Sequence, residues 1–375
     1  MNRSAILAAL APLVLGACAE LNNDNNNNER EPGANDRTAH LEEDHAPLDF
    51  VAQVDGAEHT LTYEGTHDVM EDRDPDVTRV VFVHHGAAQN PVTYFDDAVS
   101  ALRKASEQEP ESELRRRTMV ISPAKIGQGH VEDHPDRYAD RHYPYWPGGW
   151  REGEESLNEP TVSNFDLLDA MALHVAQRFP SLESMVFAGH SAGGQVMSRY
   201  AVGTTAYDQL VDQGVDVRFV ISNPSSFLYL DRRRPDLDDP GAFIQHTDAL
   251  PTVEGEPCSD FNEYRYGFEG DVAEYMTRRE AEALVEDFRD REVFILQGAD
   301  DNDPEGAALD RSCPAMTQGR HRLERGERYY DYLGDHYGSE VYETTFLEVV
   351  PDVGHSHAGI FASEAGLDIL FRDDF

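Results

Sequence analysis

The chain has 375 residues, 39% hydrophobic and 9% aromatic, enough for a full globular core and too much for a disordered polypeptide. It carries 72 Asp and Glu against 31 Lys and Arg, a formal net charge of −41, which repels phosphate backbones and excludes nucleic acid as a partner. Lys104 and Lys125 are the only lysines, and the dense carboxylates suit either a plain solvated surface or a salt-rich setting that screens them.

At the amino end, Asn2 and Arg3 precede an apolar run from Ala5 to Leu15 that is too short to be a typical membrane span and leads into Leu15-Gly16-Ala17-Cys18. This resembles a bacterial lipoprotein signal. The resemblance implies a signal peptide over 1–17 and a lipidated Cys18 that anchors an exported protein to membrane lipid of the cell envelope, at the outer membrane or periplasmic side. An ordinary cleaved export signal with an incidental cysteine fits the same small residues. Residues 18–44 are asparagine-rich and polar, with Pro32 and Gly33, and are expected to form a disordered tether. One folded domain is expected over 45–375, with loop-rich insertions at about 126–160 and 227–291.

Within that domain, two alternating runs between Phe50 and Tyr63 flank Asp55-Gly56 and predict an edge hairpin. Val80 to Val83 is a continuous apolar run, as expected of a strand buried on both faces, and it ends in His84-His85-Gly86-Ala87-Ala88. The glycine lets backbone amides turn into a cavity, so the Ala87 amide is a candidate oxyanion donor. Pro91 to Leu102 predicts a helix and Met119 to Ser122 a strand. The segment that follows crowds His142, Tyr143, Tyr145, Trp146 and Trp150 among prolines and glycines, and reads as a pocket wall.

Phe165, Leu168, Ala172, Val175 and Phe179 recur at helical spacing before Pro180. Met185 to Ala188 then reads as a buried strand that runs into Gly189-His190-Ser191-Ala192-Gly193-Gly194. A Gly-x-Ser-x-Gly turn between strand and helix projects its serine outward, which makes Ser191 the candidate nucleophile and the Ala192 amide the second oxyanion donor. Val217 to Ile221 is a strand ending at Ser222-Asn223-Pro224-Ser225-Ser226. Val293 to Leu296 leads into Gly298-Ala299-Asp300-Asp301-Asn302-Asp303-Pro304, where Asp301 is the chosen acid, with Asp303 and Asp300 as alternatives. These oxygen-bearing residues lack the spacing of an EF-hand, so no metal site is expected. Phe346 to Val350 is the last strand, with His355 the chosen base past its end and His357 its rival. With Cys18 set aside, Cys258 and Cys313 form an even pair in an exported chain, so a disulfide is expected, two free thiols being the alternative.

Strand alternating with helix implies a mostly parallel α/β sheet covered on both faces. A serine hydroxyl needs an imidazole to accept its proton, and the imidazole needs a carboxylate to hold its tautomer. The chain order Ser191, Asp301, His355, each past a strand end, resembles the serine-dependent α/β-hydrolase superfamily. A closer likeness, to a group of bacterial and fungal hydrolases, rests on His85-Gly86, Ser163-Asn164-Phe165-Asp166, Gly189-His190-Ser191-Ala192-Gly193-Gly194-Gln195, Asn223-Pro224-Ser225-Ser226, Asp301-Asn302-Asp303-Pro304, Leu309-Asp310-Arg311-Ser312-Cys313 and Val353-Gly354-His355. The resemblance implies an esterase-like hydrolase acting on small or polymeric esters through an acyl-enzyme, without a cofactor. His85, Tyr145, Trp146, Trp150 and Asn223 are the candidate pocket residues. Thioesterase, peptidase and polyester depolymerase chemistry share the fold, as does a catalytically silent binding lipoprotein.

Overall fold

The computed structural model describes residues 47–125, 127, 143–239 and 241–372. The expected signal peptide, Cys18, the tether, His142 and part of the first insertion lie outside the described residues.

Eight strands build one sheet: β1 (Leu48–Val54), β2 (Ala57–Gly65), β3 (Arg79–His84), β4 (Thr118–Pro123), β5 (Ser184–His190), β6 (Asp216–Ser222), β7 (Glu292–Gly298) and β8 (Thr345–Val350), in the order β1-β2-β4-β3-β5-β6-β7-β8. The first two form the expected hairpin, paired from Val54 with Ala57 to Leu48 with Tyr63. Asp55 and Gly56 at its tip both take positive φ, 49° and 80°, as a two-residue turn matched to strand twist requires. Strand β2 joins β4 antiparallel, and the other neighbours run parallel.

Successive side chains of the parallel strands enter two different cores, which is why these segments read as unbroken apolar runs. Val80 and Phe82 of β3 join Met119, Ile121, Met185, Phe187, Phe219 and Ile221 on one face. Val81 and Val83 join Val120, Val186, Ala188 and Val220 on the other. Phe82, Phe187 and Phe219 stack in a row across β3, β5 and β6, with ring centroids 5.0 and 5.6 Å apart. Each such contact adds about 0.5–1.5 kcal/mol beyond area burial, and the row locks the register of the strands that end at the site.

Helix α1 (Pro91–Gln108) packs on the second face, and α2 (Asn164–Arg178), α3 (Ala192–Gly203) and α4 (Arg322–Tyr337) pack on the first. Helix α1 runs past the expected Leu102 because Ala105 continues its buried stripe, and it stops at Glu109, where Pro110 disfavours helical backbone. The sequence does not announce α4, since its buried stripe contains Arg322, Arg325, Tyr329 and Tyr332 beside Leu333. In the second insertion, 227–291, short strands pair as Arg233–Pro235 with Phe243–Gln245 and as Thr252–Val253 with Glu256–Pro257. Its last part, Ala281–Phe288, is a helix that leads into β7. Among the described residues no helix is long and apolar enough to cross a membrane.

Candidate active site

The carboxyl ends of β3, β5, β6, β7 and β8 carry the loops in which the sequence places its chemistry. Strand β5 ends at His190, and Ser191 turns the chain into α3 with φ 60° and ψ −118°. That backbone is costly for a residue with a Cβ, and it persists because the surroundings fix it. The Ser191 amide donates to Ser222 O at 2.9 Å, and the Ser191 carbonyl accepts from the Gln195 amide at 3.1 Å. Glycine is required on both sides of the turn. A Cβ at Gly189 would lie 2.2 Å from Gly193 O, and one at Gly193 would lie 2.1 Å from His84 O.

Ser191, His355 and Asp301 come together although 110 and 54 residues separate neighbours along the chain. His355 Nδ1 lies 2.7 Å from Asp301 Oδ2, and His355 Nε2 lies 2.9 Å from Ser191 Oγ. With Nδ1–H donating to the carboxylate, the Nε2 lone pair faces the serine hydroxyl. Asp301 is tightly surrounded: Asn223 Nδ2 donates to Oδ2 at 2.6 Å, and Arg322 Nη1 donates to Oδ1 at 3.2 Å. Burial alone would raise the Asp301 pKa. The hydrogen bond and charge of His355, then Asn223 and Arg322, overcome that effect and hold it below the usual carboxylate range. Asp303 instead accepts from the Glu305 amide within its own loop.

The rival histidine is engaged elsewhere. His357 Nε2 lies 2.8 Å from Asp97 Oδ2, and its ring stacks on Tyr94 with centroids 3.9 Å apart. His190, the variable residue of the Gly-x-Ser-x-Gly turn, is buried with its ring centroid 4.6 Å from that of His355. Burial pushes its pKa well below 6.5, and the nearby His355, His357 and Arg322 add to the effect. It therefore stays neutral beside the base.

Of the two expected oxyanion donors, Ala192 directly follows Ser191, and Ala87 follows Gly86, which packs against Ser191. Ala192 is the first residue of α3, where backbone amides have no intrahelical acceptor. Ala87 follows Gly86, where an added Cβ would lie 3.5 Å from Ser191 Cβ. The Gly86 carbonyl is held by the Gln89 amide at 3.0 Å and by His85 Nδ1 at 3.0 Å. His85 Nε2 accepts from the Lys125 amide at 3.0 Å, which places the proton of the neutral ring on Nδ1.

Four of the candidate pocket residues are buried in the core or against other site residues rather than lining a wall. His85 is fully buried as that strut. Trp146 and Trp150 are only 1% and 5% exposed: Trp150 stacks on His84 at 5.6 Å, and Trp146 Nε1 donates to Glu154 O at 3.0 Å. Their indoles extend the apolar core beneath the β3 end. Tyr145 is half-buried, and its amide donates to Asn158 Oδ1. Asn223 is buried on Asp301 and accepts from the Gly298 amide through Oδ1. Cys258 and Cys313 form a disulfide that ties the second insertion to the segment following Asp301. Sequence reasoning missed Arg322, Tyr94 and Asp97.

No family model and no curated protein matches the chain. Among solved structures it is similar to poly(aspartic acid) hydrolase-1 from Sphingomonas sp. KT-1, with a TM-score of 0.53 and 21% identity over 87% of this chain and 98% of that one. It is also similar to LpqC, a poly(3-hydroxybutyrate) depolymerase from Bordetella parapertussis, with a TM-score of 0.50 and 18% identity over 84% of this chain and 85% of that one. The protein has the α/β-hydrolase fold, which these likenesses and its own sheet order both show.

Proposed function

We propose that this protein is a serine hydrolase that cleaves carboxylic esters through an acyl-enzyme intermediate. Ser191 attacks the ester carbonyl while His355 Nε2 accepts its proton, and Asp301 holds the imidazole and stabilises the imidazolium that forms. The amides of Ala87 and Ala192 stabilise the tetrahedral oxyanion. Collapse expels the alcohol, which takes the proton from His355. Water, activated by the same histidine, then releases the acid. The observation that carries this reading is the contact of His355 with both Asp301 and Ser191, at 2.7 and 2.9 Å, beside a strained serine turn at a strand end.

A fluorophosphonate probe tests it. The reading expects labelled wild type and unlabelled Ser191→Ala, and an unlabelled wild type would leave a silent binding protein. The names of the two neighbours favour polymeric substrates within the same chemistry. A turnover panel of short and long acyl esters, a thioester, a peptide, poly(3-hydroxybutyrate) and poly(aspartic acid) separates these. The export signal and the Cys18 anchor belong to the same proposal, and metabolic labelling with a radioactive fatty acid, lost in Cys18→Ser, tests them.

A further inference from the structure

The two loops that complete the triad carry far more acid than the mechanism uses. Residues 299–313, past β7, and 351–356, past β8, hold Asp300, Asp301, Asp303, Glu305, Asp310 and Asp352 against a single basic residue, Arg311. Asp301 is buried, whereas Asp300, Asp303, Glu305 and Asp352 are exposed. The loops lie side by side: the Asp300 amide donates to Val353 O at 2.9 Å, and a Cβ on Gly354 would lie 3.8 Å from Asp300 O. Asp300 and Asp352 therefore flank the backbone that presents His355, which is itself exposed at the rim. Three peptide units join Asp352 to His355, so their Cα atoms are at most about 11 Å apart.

The cations of this region are already committed. Arg311 pairs with Glu305, and Arg322 is fully buried on Asp301. Arg265 reaches the first loop from the second insertion, where it is shared between Asp310 at 3.5 Å and Glu152 at 2.7 Å. Among the described residues, none of Asp300, Asp303 and Asp352 faces a basic side chain in an ion pair. One unit charge about 10 Å away changes the local concentration of a singly charged ester roughly twofold in water, so three change it about tenfold. Their reach depends on salt, since the screening length is about 30 Å at 0.01 M and about 3 Å at 1 M.

We propose that this active site selects esters by charge: Asp300, Asp303 and Asp352 disfavour anionic esters at Ser191 and favour neutral and cationic ones. The inference rests on the acyl-enzyme reading and names the substrate class within it. The three residues hold no ligand. They set the potential through which the ester arrives, so the selection appears in kcat/KM. Three p-nitrophenyl esters of one acyl length test it, their chains ending in a carboxamide, a carboxylate or a trimethylammonium group. At 0.01 M salt and pH 8 the carboxylate ester is expected to fall about tenfold below the carboxamide in kcat/KM, with the ammonium ester above both. At 1 M salt the three converge to within about twofold. All three are measured on the same enzyme, so their ratio does not depend on how much of it is folded.

The double variant Asp300→Asn, Asp352→Asn assigns the effect to these loops. Asparagine tolerates the positive φ of Asp352, 58°, so the backbone beside His355 is preserved. The gap between carboxamide and carboxylate esters at 0.01 M salt is expected to narrow by about threefold. A carboxylate ester turned over as fast as the carboxamide at 0.01 M salt would overturn the proposal. A gap that survives 1 M salt would do the same, since direct contact rather than a field would then cause it, and so would a gap unchanged in the double variant. Failure of the acyl-enzyme reading looks different, because the wild type would then hydrolyse none of the three and take up no fluorophosphonate.

Discussion

Lys125 follows β4, and its ammonium is buried with no hydrogen-bond partner among the described residues, Nζ lying 6.0 Å from the centre of the Trp146 ring. Burial pushes its pKa from 10.5 down to about 7. The unfolded chain therefore holds a proton that the folded site releases. Stability from this group falls as pH drops from 10.5 towards 7 and then levels off, once both states are protonated. At about 1.4 kcal/mol per pH unit, the displacement costs roughly 4 kcal/mol at pH 7. Lys125→Met keeps the length of the side chain and removes the charge, and the backbone amide still reaches His85. Urea unfolding at pH 7 is expected to show the variant more stable by about 2 to 4 kcal/mol, with the gain shrinking towards pH 10. A variant less stable at pH 7, or a gain that does not change with pH, would refute the reasoning.

Two further outcomes concern the site itself. Asp301→Ala is expected to lower kcat by about ten-thousandfold, as loss of the carboxylate does in comparable relays, while Asp303→Ala stays within about twofold; the reverse order in a steady-state ester assay would move the acid to Asp303. Below the ordinary histidine pKa of about 6.5, the unfolded chain takes protons that buried His190 and His84 refuse, so stability is full above that value and declines as pH falls. Thermal unfolding followed from pH 7.5 to 5 should show a shallower decline in His190→Asn, and equal slopes would place the acid sensitivity elsewhere.

The residues legible in the sequence are those whose position follows from local chemistry. A glycine–serine turn after an apolar run, an aspartate past a strand and a histidine past the last strand each announce themselves, and chain order links them. The parallel strands were legible too, because burial on both faces leaves an unbroken apolar run. What stayed hidden depends on direction. Trp146 and Trp150 read equally well as a cleft wall or as anchors of a surface loop, and only the stacking of Trp150 on His84 shows which way an indole faces. Tyr94 and Asp97 look like ordinary helix residues, since their partners His357 and His190 lie on other elements. Arg322 sits in a helix whose buried stripe is partly charged, so apolar periodicity could not reveal it.

That charged stripe fits the composition. All but two of the 31 basic residues are arginine, and Arg199, Arg234, Arg291, Arg322 and Arg325 are fully buried. A guanidinium offers five donors to backbone carbonyls and stays charged under burial that would discharge an ammonium. Arg199 joins α3 to Arg265 O at 2.9 Å, and Arg234 reaches Phe261 O at 2.7 Å, so these cations stitch the second insertion together and onto the sheet domain. Burial lowers the pKa of Arg234 and Arg325 only to about 10, whereas Lys125 falls to about 7. Arg322 brings the same chemistry to Asp301. Because that cation does not depend on the protonation of His355, the carboxylate keeps a charged partner while the imidazole is neutral and remains ionised to receive the imidazolium when the serine proton arrives.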